Sequence, residues 1–87
     1  MDDDTRAAVL KRLAYIDGHL NGVRKMIEQD TYCVDVLKQT YAVRRAIEKM
    51  ESKMLGGHLR HCVVAGVESG DEGVLDELVE LYEIASK

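Results

Sequence analysis

The chain contains no proline, no tryptophan and no phenylalanine, and its only aromatics are four tyrosines. Without proline nothing forces a helix to stop, so long helices are open to it. No apolar run approaches the roughly 20 residues that a membrane-spanning helix needs. The opening Met1-Asp2-Asp3-Asp4 is the reverse of a signal peptide's basic start, which points to a cytoplasmic protein. There are only two cysteines. In a reducing compartment such a pair reads as thiols, metal ligands or redox sensors before it reads as a structural disulfide. Paired catalytic carboxylates, a phosphate-cradling glycine loop and a nucleophile elbow are all missing, so nothing argues for an enzyme. Strand signals, internal repeats and low-complexity segments are missing too.

What is present is one small domain of 87 residues, with 46% hydrophobic content that speaks against disorder. A chain this short buries a limited core, and oligomerisation, a metal or a disulfide commonly supplies the rest. The net charge of −4 conceals an uneven distribution. Between Thr5 and Arg60 eleven Lys/Arg face six Asp/Glu, whereas His61 to Lys87 carries one lysine against seven acids. A basic body with acidic ends is compatible with nucleic-acid binding, because the local patch sets the interaction. A solvated helical surface is the plainer account of the same charges.

Apolar periodicity predicts an all-α chain of three helices, over about 5–28, 31–67 and 73–86. In the first, Val9, Leu13, Ile16, Leu20, Val23 and Ile27 recur at alternating steps of four and three, a coiled-coil-like seam. Asp4 or Thr5 is the expected cap. Gly18 and Gly22 either admit a second backbone to that helix or simply weaken it. A polar turn at Glu28 to Thr31 leads into the second helix, with Asp30 or Thr31 as its expected cap. The seam there is Val36, Thr40, Val43, Ile47, Met50 and Met54, followed after a phase shift by Leu55, Leu59, Val63 and Val67. Gly56-Gly57 either sits within one long helix, the preferred reading, or bends it. Glu68 to Gly73 has the composition of a loop. The last helix is amphipathic, with an acidic outer face. Three such helices do not easily cover both apolar seams, so association into a helical bundle is expected.

The chemistry lies between Tyr32 and Val63, which holds both cysteines. His58 and Cys62 are four apart, so on a helix an imidazole and a thiol share one face and form a chelating pair. Cys33 falls in the first turn of the second helix, where free amides and the helix dipole favour anionic ligands. Two thiolates and an imidazole are a soft donor set. It is short of the four ligands of a structural zinc site or the four cysteines of an iron–sulfur cluster, and it suits a low-coordinate ion such as Cu(I). The 25 residues from Cys33 to His58 would span about 37 Å of continuous helix. Cys33 would therefore meet His58 and Cys62 only in another protomer, unless the chain bends at Gly56-Gly57. Cysteines and a histidine packed as ordinary core or surface residues are the competing account. Lys11, Arg12, Arg24, Lys25, Arg44, Arg45, Lys49 and Lys53 supply positive charge on the two long helices. Arg45, Lys49 and Lys53 form one stripe, but there is no helix-turn-helix. His61 points away from the chelating face, and His19 reads as a surface residue.

With these residues in place the chain resembles the copper-sensitive operon repressor (CsoR) family, whose fold is shared with nickel/cobalt and formaldehyde sensors. The resemblance spans essentially the whole chain. It is carried by Leu10-Lys11-Arg12-Leu13, Ile16-Asp17-Gly18-His19, Met26-Ile27-Glu28, Tyr32-Cys33-Val34-Asp35-Val36-Leu37, Ala42-Val43-Arg44 and His58-Leu59-Arg60-His61-Cys62-Val63. It implies an antiparallel four-helix-bundle dimer, with the third helix packed outside and dimers pairing into a tetramer. It implies one Cu(I) per protomer, held at an intersubunit site by Cys33 of one chain and His58 and Cys62 of the other. Tyr32 and either Glu77 or Glu80 would link the ligand histidine to the rest of the protein. The metal-free tetramer would bind operator DNA through basic residues of the first two helices, where Arg12, Lys49 and Lys53 match the family's basic positions; Lys11, Arg44 and Arg45 are further candidates from the charge pattern alone. Copper would release that DNA and derepress copper-export genes. Two departures stand out: Gly56-Gly57 replaces larger residues, and Glu48 and Glu51 thin the basic patch around Lys49.

Three other readings remain open on the sequence. A persulfide-sensing repressor of the same fold uses cysteines at these positions but usually lacks the histidine. A copper-binding protein without DNA function would keep the ligands alone, and a structural bundle would bind no metal.

Overall fold

The computed structural model describes residues 1–87, and every regular element in it is helical. Helix α1 runs Asp3–Glu28 and α2 runs Cys33–His58. The second rod does not end there. It passes through a π-helical turn, Leu59–Val63, into α3, Val64–Glu68, with helical backbone at both junctions. Helix α4, Gly73–Ala85, then folds back on the far end of the rod. No helix is long and apolar enough to cross a membrane.

Helix α1 begins two residues before the sequence suggests, because Asp2 and not Asp4 or Thr5 is its cap. The Asp2 carboxylate accepts the Thr5 backbone N–H at 3.0 Å, while Asp3 and Asp4 sit in the first turn, where the dipole favours acids. Neither Asp30 nor Thr31 caps α2; Tyr32 holds that position without a side-chain hydrogen bond. Asp30 instead ends α1. It adopts a left-handed backbone (φ 54°) that lets Thr31 N–H reach back to the Met26 carbonyl at 2.9 Å. Gly70 (φ 81°) closes α3 the same way, with Asp71 N–H donating to the Gly66 carbonyl.

The two long helices pair side by side over a thin core of Ile16, Val23, Val43 and Ala46, edged by Val36, Ile47 and Met50. The seam of α1 divides in two. Val9, Ile16 and Val23, seven apart, are buried, whereas Leu13, Leu20 and Ile27 are 39%, 48% and 61% exposed. The chain measures 56 × 29 × 13 Å, so it is little more than one helix thick. Only 7 of 87 residues are buried, which leaves one broad face of the layer apolar and open. Helix α4 contributes no buried residue; Val74 and Leu78 are half-buried, and Leu75, Leu81 and Tyr82 are exposed.

Gly56 and Gly57 lie within the rod and do not break it. Gly57 is buried where α2 crosses the start of α1, and a β-carbon there would fall 2.8 Å from Thr5 Cγ2 and 3.0 Å from Thr5 Cβ. Rotating the threonine relieves the first contact but not the second. Gly56 has only Arg60 Nη1 nearby, at 3.6 Å. The two glycines should therefore respond oppositely to alanine. Gly57→Ala is expected to destabilise by about 1–3 kcal/mol through overpacking, and Gly56→Ala to stabilise by up to about 1 kcal/mol through helix propensity. Urea denaturation of the two variants against the parent checks the opposite signs.

Candidate metal centre and basic groove

The candidate ligands occupy the two ends of the second rod. At its start Tyr32 is 69% exposed and the neighbouring Cys33 is an exposed free thiol on the first turn of α2. At the other end His58 closes α2, and Cys62, also a free thiol, lies in the π-helical turn; both are half-buried. A π turn pairs i with i+5 and widens the helix locally. His58 and Cys62 nonetheless open onto one cleft of about 960 Å³, lined also by Glu77 and Glu80 of α4. Both glutamates reach it, so the cleft does not choose between them.

Within one chain no three His, Cys, Asp or Glu side chains come together as a metal site. The reason is the unbroken rod. Gly56-Gly57 does not bend it, so the span of about 37 Å between Cys33 and His58 stands. A single chain thus presents an imidazole–thiol pair at one end and a lone thiol at the other.

The basic residues divide similarly. Arg12 of α1 and Arg45, Lys49 and Lys53 of α2 line one groove of about 450 Å³ with no hydrophobic wall. Lys11 is exposed on α1 but does not line it, and Arg44 instead lies 5.0 Å from the centre of the Tyr41 ring, a cation–π contact. Glu48 and Ser52 line both this groove and the ligand cleft, so the two share a wall of α2.

Several residues of the site went unnoticed in the sequence. Glu48, Glu51, Met54, Leu81 and Ile84 line the cleft. For Met54 a signal existed, since it precedes His58 by the same four residues that separate His58 from Cys62. His19 has a partner after all: its Nε2 lies 2.8 Å from Gln39 Oε1, joining α1 to α2, and Tyr15 meets its ring edge-on. His61 does turn away from the cleft, and its Nε2 lies 3.7 Å from Asp2 Oδ1.

Comparison with known proteins decides the family. The model for metal-sensitive transcriptional repressors matches residues 5–84. The chain belongs to that family. Its members are repressors of transcription and not enzymes. Among curated relatives, the copper-sensing transcriptional repressor CsoR of Mycobacterium ulcerans is 42% identical over 78 residues, 88% of this chain and 67% of that protein. CsoR of Bacillus subtilis is 36% identical over 80 residues, 91% of this chain and 79% of the relative. The crystal structure of the copper-sensing repressor CsoR with Cu(I) from Geobacillus thermodenitrificans NG80-2 superposes with a TM-score of 0.93 at 32% identity, covering 100% of this chain and 92% of that one.

The Asp2 carboxylate joins the start of α1 to the turn that carries Cys62. Hydrogen bonds from the Thr5 side chain and backbone hold it below the usual carboxylate range, and nearby His61 pulls in the same direction. Because the folded value is the lower one, the stabilisation is present above the unfolded-chain value of about 3.8 and is lost as pH falls below it. Asp2→Asn retains a good helix cap without the charge. The parent should melt at a higher temperature than Asp2→Asn at pH 7, and the gap should close towards pH 3.

Proposed function

We propose that this protein is a Cu(I)-sensing transcriptional repressor. Its metal-free form binds operator DNA in the cytoplasm and releases it when Cu(I) binds. The observation that carries the reading is the division of a soft donor set between the two ends of one straight rod, with the imidazole–thiol half opening onto a cleft that the chain itself does not fill. Two such rods laid antiparallel bring the first half of each against the second half of the other. The open apolar face of the layer, with Leu13, Leu20 and Ile27 exposed along α1, supplies the association energy. Each Cu(I) would then be held by Cys33 of one protomer and His58 and Cys62 of its partner, one ion per protomer.

The donors fit the ion. Thiolate and imidazole are its preferred ligands, and both cysteines are free. Tyr32 beside Cys33, and Glu77 or Glu80 in the cleft, are available to accept or donate at the far imidazole nitrogen of His58. Such a contact orients a ligand histidine and passes its position on to the neighbouring helices. Dimers would pair into a tetramer whose grooves of Arg12, Arg45, Lys49 and Lys53, with Lys11 and Arg44 nearby, contact DNA phosphates. Cu(I) need only favour the arrangement that binds DNA poorly. A coupling of about 1–3 kcal/mol weakens DNA binding by about 5- to 150-fold. The shared wall at Glu48 and Ser52 supports such coupling, since a shift of α2 at the cleft also moves the groove.

Anaerobic titration of the reduced protein on its promoter DNA tests the whole reading. One Cu(I) per protomer should release the DNA, and His58→Ala should bind DNA yet fail to respond. DNA binding that ignores copper but is lost with persulfide would transfer the reading to a sulfur sensor. Copper binding without any DNA binding would leave a copper-binding protein alone. Lys49→Ala should weaken binding to all DNA sequences and reduce the steepness of the salt dependence by about one unit.

The intersubunit arrangement has its own test. A Cys33→Ser chain and a Cys62→Ser chain should each lose the high-affinity site. Unfolded and refolded together, they should regain it in mixed dimers, which contain one intact pairing of Cys33 with His58 and Cys62. If the mixture binds no better than its components, the site does not lie between chains.

A further inference from the structure

We infer that Glu48 is a specificity residue of the basic groove: its carboxylate weakens the hold on any DNA backbone, and a cytosine amino group placed against it offsets that loss. The inference rests on the DNA-binding reading above and adds selection among sequences to it. Arg12, Arg45, Lys49 and Lys53 line the groove with Ser52, and Glu48 is the only acid among them. The residues from Arg45 to Lys53 all belong to the regular α-helical part of α2, before the π turn begins. Glu48 stands three residues from Arg45 and four from Ser52, so its β-carbon lies about 5–6 Å from each of theirs. That is within the screening length of about 8 Å at physiological salt, so the carboxylate acts on whatever the cations hold.

None of these five charges is tied up within the chain. The ion pairs of the protein are Arg6 with Asp3 and His61 with Asp2, and no side chain of the groove makes a hydrogen bond. Four free cations suit phosphate oxygens, the contacts that hold any DNA whatever its sequence. A free carboxylate in the same groove opposes those contacts. Its oxygens can be satisfied by a base edge instead. Cytosine presents only the N4 amino group in the major groove, whereas the adenine N6 amino group stands beside the N7 acceptor, which a carboxylate repels. A sequence that sets cytosine against Glu48 therefore recovers what the backbone contacts lose, and other sequences do not. Sorting operator from bulk DNA depends on the ratio of the two affinities, and lowering the weaker one raises that ratio.

The test separates the charge of Glu48 from its hydrogen bond. Glu48→Gln keeps an acceptor oxygen and drops the charge, Glu48→Ala drops both, and Glu83→Ala removes the same charge from α4, away from the groove. Both positions are exposed, so the variants should fold as the parent does. Metal-free, reduced protein is titrated onto its promoter DNA and onto a random-sequence duplex of equal length, by fluorescence anisotropy across a salt series. Both Glu48 variants should bind the random duplex about fivefold more tightly, the factor for one like charge about 4 Å from a phosphate in water, with a steeper salt dependence. On promoter DNA Glu48→Gln should gain as much. Glu48→Ala should gain little there, because the lost hydrogen bond cancels the charge effect, so its preference for the promoter falls about fivefold. Replacing the G·C pairs of the promoter one at a time should weaken the parent and Glu48→Gln at a position where Glu48→Ala is indifferent. Glu83→Ala should match the parent on both DNAs. An equal gain by Glu48→Ala on both DNAs, no gain on either, or the same gain from Glu83→Ala would overturn the inference. A parent that binds neither DNA would overturn the DNA-binding reading and this inference together, whereas a parent whose promoter preference survives in Glu48→Ala would overturn this inference alone.

Discussion

A layer one helix thick cannot hide two apolar faces. Pairing α1 with α2 buries Val9, Ile16 and Val23 against the neighbouring rod, yet leaves Leu13, Leu20 and Ile27 at the surface. Both sets lie on one seam of α1, but the single neighbouring rod covers only the first and leaves the second open. That half-finished burial underlies everything else the molecule does. In the proposed assembly it would draw a second copy onto the open face, and the straightness of the rods would then decide which residues of the two copies meet.

The straightness is itself a local achievement. Gly56-Gly57, the place where a helix would most readily bend, is held in line because Gly57 packs against Thr5 at the start of α1. The irregularity begins two residues after Gly57, in the π-helical turn at Leu59–Val63. Such a turn inserts an extra residue into the helical repeat and re-aims the side chains beyond it. Here it separates His58 from Cys62, and Asp2 and His61 tether the same turn to the beginning of α1. Cys62 thus lies on, and His58 borders, the one stretch of the rod whose hydrogen bonding departs from the α pattern.

The cleft beside His58 and the basic groove share a wall of α2, and Glu48 and Ser52 line both. The acids that seemed to dilute the basic stripe therefore have a place in the architecture. Glu48 borders the groove, and Glu51 opens onto the cleft with Glu77 and Glu80. On the proposed reading, communication between a metal in the cleft and a DNA phosphate at the groove would need no long pathway, because one helix carries both walls.

The amino-acid sequence by itself determined the helical class, the two seams, the spacing of Cys33, His58 and Cys62 along the second rod, and the basic stripe of Arg45, Lys49 and Lys53. These are legible because helical periodicity and i, i+4 spacing are properties of the chain alone. The limits of the elements were less legible. Asp2 displaced Asp4 and Thr5 as cap, and Asp30 ended one helix and did not begin the next, since caps depend on backbone angles that several neighbouring polar residues could equally adopt. Only the tertiary structure decided which half of each seam is buried, that Ala46 lies in the core, and that His19 pairs with Gln39. It alone set the π turn, and it alone gathered Met54 and the α4 glutamates around His58. Those outcomes turn on how closely one helix approaches another, a distance that belongs to no single segment of the sequence.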